Sequence, residues 1–122
     1  MNIVFKILSF FIGFALYPLD AYLMESGPRS VDLDKGRRIY FSNCISCHNK
    51  DPNLKGAIGP EIKNVPYEVL ESKVLTGKYP EKLPTGFIPK RKTQLMRPIP
   101  KIKDDLKVLH AWIVSMNKQS KK

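Results

Sequence analysis

The chain contains two cysteines, Cys44 and Cys47, and the residue directly after the second is His48. Two thiols three positions apart with an imidazole at the next position, Cys44-Ile45-Ser46-Cys47-His48, can support three kinds of chemistry. Each thiol can form a thioether to one vinyl group of a haem while the histidine takes the iron, which is the attachment pattern of haem c. A zinc site would need four ligands, and beyond these three the chain offers only His110 and no second cysteine pair. A redox-active dithiol would follow a strand in a βαβ unit, whereas the residues before Cys44 are spaced as a helix. The expected cofactor is therefore one haem c, bound covalently through Cys44 and Cys47 with His48 on the iron. A disulfide framework of the kind that staples small secreted domains is excluded by the cysteine count.

The elements that must position these residues are helical. Ser30 or Asp32 can cap a helix that carries Leu33, Gly36, Ile39 and Tyr40 toward one side and runs into Asn43. Residues 49–65 contain Pro52, Gly56, Gly59 and Pro60 with few periodic apolar residues, and read as loop. Pro66 suits the first turn of a short second helix, in which Val69, Leu70, Val74 and Leu75 are helically spaced and Gly77 is placed to end it. Between residues 78 and 103 five prolines (Pro80, Pro84, Pro89, Pro98 and Pro100) forbid a sustained helix or a central strand. A loop of that length in a small domain points to function. Ile102, Leu106, Leu109, Ile113 and Met116 then fall at helical spacing, with Asp104 and Asp105 in the first turn and Lys118 near the end, as the helix dipole favours. No run alternates apolar and polar residues, so the predicted fold class is all-α.

A chain of 122 residues suits one domain. Near its start, residues 7–17 form an apolar run of 11 residues closed by Pro18 and Asp20. That length matches the apolar region of a signal peptide and falls short of the ~20 residues of a bilayer span. The expected organisation is a signal peptide over residues 1–21 followed by one domain over residues 22–122. The rival reading is an uncleaved anchor in which residues 3–19 tilt into the membrane with Lys6 snorkelling. Either way the domain is exported, periplasmic or held at the membrane through its N-terminus. About 100 residues bury only roughly two thirds of their unfolded surface, so a group that binds the folded form alone adds needed stability. Lys and Arg number 21 against 11 Asp and Glu, and the exported part keeps the formal charge of +10. Partners with acidic surfaces follow. Nucleic acid does not, since no recognisable binding motif is present.

From residue 32 to residue 117 the chain resembles the class I c-type cytochromes. Gly36 and Tyr40, with Tyr40 four residues before Cys44, are similar to that family's glycine and aromatic on the first helix, and Leu109 and Trp112 to their partners on the last. The resemblance implies the cytochrome c fold: N- and C-terminal helices crossing closely at the glycine, a short middle helix, and a long proline-rich distal loop. It implies that the Pro60 carbonyl, in the step Gly59-Pro60, accepts the proton on the free nitrogen of His48, which orients the imidazole and raises its basicity. It also implies an axial methionine in the loop before the last helix, where Met96 stands. The family usually has proline directly after that methionine, whereas here Arg97 intervenes before Pro98. His110 is the rival iron ligand, on a helix that the family packs against the first helix.

A haem iron with two protein ligands has no open position for substrate. The implied function is thus one-electron transfer between exported or membrane redox partners by a monomer that is not an enzyme. The alternative is a small monohaem subunit of a periplasmic oxidoreductase complex, such as a thiosulfate-oxidising assembly, and a weaker third is a gas sensor in which Met96 leaves the iron free. Residues 78–103 hold eight basic residues (Lys78, Lys82, Lys90, Arg91, Lys92, Arg97, Lys101, Lys103) against the single acid Glu81. Around the loop that carries Met96, such a field would speed encounter with an acidic partner by ~10- to 10³-fold at low salt and favours the free carrier.

Overall fold

The computed structural model describes residues 29–91 and 96–119. The expected signal peptide or anchor, Met24 and Lys92 lie outside the described residues. Among the described residues three α-helices follow one another, α1 (Ser30–Asn43), α2 (Tyr67–Thr76) and α3 (Leu106–Gln119), with a 3₁₀ segment, Pro100–Asp105, leading into the last. Among the described residues there is no strand, so the fold class is all-α, and no helix is long and apolar enough to cross a membrane.

Helix α1 starts one residue earlier than its polar side chains suggest. The Arg29 carbonyl accepts the amides of Asp32 and Leu33 at 2.9 and 3.2 Å, so Arg29 is the N-cap, and no side chain caps the helix. Ser30 and Asp32 are already inside the first turn and are not caps; Asp32 there suits the positive end of the dipole. Pro66 likewise stands just before α2, in an extended conformation, with its carbonyl accepting the amides of Val69 and Leu70. Gly77 ends α2 in the left-handed conformation, as expected.

The last helix differs from its predicted form at the start. Ile102 lies in the 3₁₀ segment with a non-helical φ of −101°, and Asp104 and Asp105 precede α3 rather than occupying its first turn. The Ile99 amide is bonded to the Val74 carbonyl at 2.6 Å, which holds the chain against α2 just before the 3₁₀ segment begins at Pro100. Asp105 instead pairs with Lys35 of α1.

The core joins Tyr40 and Cys44 to Leu70 and Val74 of α2, to Ile102, and to Leu106, Leu109, Trp112 and Ile113 of α3. The four α3 residues recur at the spacing of one helix face, which is why that face is buried. Helices α1 and α3 meet at Gly36, where a Cβ would run into the Val108 carbonyl and stand 2.7 Å from Trp112 Cβ. The rings of Tyr40 and Trp112 pack at 4.8 Å between centroids, and the buried Tyr40 hydroxyl donates to the Asn49 carbonyl at 2.6 Å.

Candidate functional site

The Cys44 amide still bonds to the Tyr40 carbonyl, and the Cys44 carbonyl accepts the amides of Cys47 and His48 at 3.2 and 2.9 Å. Residues 44–48 therefore form one more helix-like turn beyond α1. Positions i, i+3 and i+4 share a side of such a turn, so the two thiols and the imidazole are brought together by their spacing alone. The loop after them folds back: Ile58 and Gly59 donate their amides to the Cys47 carbonyl at 3.2 and 2.8 Å. Gly59 then lies against the His48 ring, where a Cβ would stand 2.6 Å from Nδ1.

His48 Nδ1 donates to the Pro60 carbonyl at 2.9 Å, the pairing that the Gly59-Pro60 step implied. A carbonyl can only accept, so Nδ1 carries a proton, and in the neutral ring Nε2 then keeps its lone pair. Burial lowers the His48 pKa; the bond to Pro60 opposes this, and the nearby cations Arg91 and Lys73 reinforce it. The net lowering favours the neutral ring, the form that binds metals. Burial, with a contribution from neighbouring Cys47, pushes the Cys44 thiol up to about 12. The two thiols are not joined to each other.

A cavity of about 430 Å³ is lined by Cys44, Cys47, His48, Pro60 and Met96 together. All five residues singled out in the sequence thus meet at one site. Its walls are mainly apolar, with Val69, Leu70 and Val74 from α2, Ile99, and Leu109 and Ile113 from α3. Met96 is half-buried and packs on the core, while Arg97 is exposed. His110 is turned to other partners: its Nε2 bonds to the Val65 carbonyl at 2.9 Å and its ring meets the edge of Tyr67.

Three cavity residues, Lys73, Tyr79 and Phe87, escape a sequence reading. The Lys73 ammonium lies 4.5 Å from the centroid of the Tyr79 ring and donates to the Gly77 carbonyl at 2.9 Å. Burial lowers its pKa. Tyr79 pairs with Phe87, and both line the cavity. Two aromatics in a proline-rich loop, with no helix face to join, are the signal that could have marked them. Arg91 donates to the Ile58 carbonyl, and Lys90 reaches both the Glu61 carboxylate at 3.1 Å and the Glu61 carbonyl at 3.2 Å. These contacts tie the proline-rich loop to the segment that orients His48.

Among the described residues, no group of three or more His, Cys, Asp and Glu is gathered as a metal cage, which a four-ligand zinc site would require. Compared with family models, curated proteins and solved structures, the chain matches none.

Proposed function

We propose that the chain is a monohaem c-type cytochrome that carries single electrons. The observation that carries this reading is the convergence of Cys44, Cys47, His48, Pro60 and Met96 on one cavity, with the His48 Nδ1 proton donated to Pro60. The residues fit the group. The cavity falls within the ~300–1,000 Å³ of cofactor sites and has apolar walls, and the neutral imidazole keeps Nε2 for a metal. A thiol held up at about 12 by burial is the opposite of the depressed pKa that a redox dithiol needs.

When bound, the haem supplies a one-electron couple at its iron. Cys44 and Cys47 would hold it through two thioethers, and His48 and Met96 would ligate its iron. No site then remains for substrate, and the protein is a carrier rather than an enzyme. The packing of α1 on α3 at Gly36, the short α2 and the long loop ahead of α3 support the cytochrome c fold within the all-α class. Lys90, Arg91 and Arg97 are exposed at the cavity rim, and Lys78, Lys82, Lys101 and Lys103 are exposed nearby in the chain, which suits acidic docking surfaces on exported or membrane redox partners. Denaturing mass spectrometry of the native protein tests the reading. The expected mass is that of the chain, shortened by its first 15 to 21 residues, plus one haem; a chain without added haem overturns it.

The subunit reading has one observation in its favour. Ile58 at the cavity rim is 47% exposed, and Ile88, two residues before Lys90, is 78% exposed. Apolar contacts resist screening, whereas charge contacts do not. Elution of the native haem protein as a monomer at moderate salt supports the carrier. Elution with a larger haem-free polypeptide that survives a salt wash supports the subunit.

A further inference from the structure

The segment bearing Met96 is seated on the last turn of α2 at two points. The Val74 carbonyl accepts the Ile99 amide at 2.6 Å. At Gly77, whose φ is +74°, a Cβ would stand 2.6 Å from the Met96 carbonyl oxygen and 3.4 Å from Pro98 Cδ. Non-bonded carbon contacts are optimal near ~3.5–4.0 Å, so a side chain there would have to push the Met96 backbone away.

We propose that Gly77 is a positioning residue for Met96: the missing side chain lets the Met96 backbone settle at the depth from which its sulfur reaches a bound haem iron. The inference rests on the reading of Met96 as an iron ligand. It also gives a place to Arg97. The ring restraint that the resemblance expects directly after the methionine comes one residue later here, from Pro98 against Gly77, and leaves position 97 to an exposed cation.

Gly77 also terminates a helix, a role that any left-handed glycine can fill. The chain contains its own control for that role. Gly86 has nearly the same φ, +79°, but a Cβ there would meet nothing within 4 Å. Alanine or asparagine at either position carries similar backbone strain, and only at position 77 does it strike Met96.

The test compares Gly77→Ala, Gly77→Asn, Gly86→Ala and Gly86→Asn as haem-bearing proteins. The readouts are the weak thioether-to-ferric-iron band near the red end of the visible spectrum and the affinity of the ferric protein for imidazole. Both Gly77 variants should lose most of the band and bind imidazole roughly tenfold more tightly, since apparent affinity follows the fraction of molecules with an open iron. Both Gly86 variants should match the parent protein, and covalent haem should be equal in all. Asparagine tolerates the left-handed region, so Gly77→Asn decides the matter where Gly77→Ala fails to accumulate. An unchanged band and imidazole affinity in Gly77→Asn, or an equal loss in the Gly86 variants, overturns the proposal. A parent protein without the band refutes Met96 ligation itself, and that result is seen before any variant is made.

Discussion

Replacing both Cys44 and Cys47 with alanine should release the haem from the polypeptide on denaturing acid extraction, while the unaltered protein keeps all of it. Either single replacement should leave one thioether, so haem stays attached but the fold weakens. Each bond makes haem binding intramolecular, and a group bound only to the folded form stabilises it in proportion to its effective concentration. In a domain of about 100 residues each 1 kcal/mol lost lowers Tm by roughly 4–8 °C, which thermal unfolding resolves. His48→Ala should act differently. It leaves haem attachable, removes the proposed iron ligand, and strips the Pro60 carbonyl of its donor, a loss of ~1–3 kcal/mol where no water replaces it. No normal low-spin spectrum should form. Ser42→Ala is the control, because Ser42 lies on α1 just before the motif with an exposed side chain and does not line the cavity. Haem that extracts freely from the unaltered protein would overturn the reading of the motif.

Met96→Leu, which nearly conserves volume, should abolish the thioether-to-iron band, open the ferric iron to imidazole and lower the reduction potential. A soft sulfur ligand favours the ferrous state, so its loss should cost on the order of 0.1 V or more within the roughly 0.8 V range that axial ligands set. His110→Ala should change none of these. That substitution removes a hydrogen bond to Val65 and an edge contact with Tyr67, with a stability loss of about 1 kcal/mol and no spectral consequence. The opposite pattern, a Met96 variant with its band intact and a His110 variant without a low-spin state, would establish two histidine ligands and a lower working potential.

The turn that joins Cys44, Cys47 and His48 is legible in the spacing of those residues, because positions i, i+3 and i+4 of a helical turn share a side whatever surrounds them. The helices are legible for the same local reason: the 3.6-residue period marks α2 and α3, and Gly77 marks an end. Where local signals compete, neighbours or distant partners decide. The first amides of α1 go to the Arg29 carbonyl, one residue before the polar side chains that could cap it, and Asp105 precedes α3 and pairs with Lys35 of α1.

Tertiary structure alone decides what faces the thiols. Periodicity tells which side of a helix is apolar but not what lies across from it. Lys73 therefore carries no mark of its place in the spacing, and only the fold lays its ammonium over Tyr79. The described parts of the proline-rich loop are tied to Ile58, Glu61 and Val74 from elsewhere in the chain. Such long-range bonds leave no trace in spacing, which is why the sequence marks Met96 and Gly77 separately and only the fold puts one against the other.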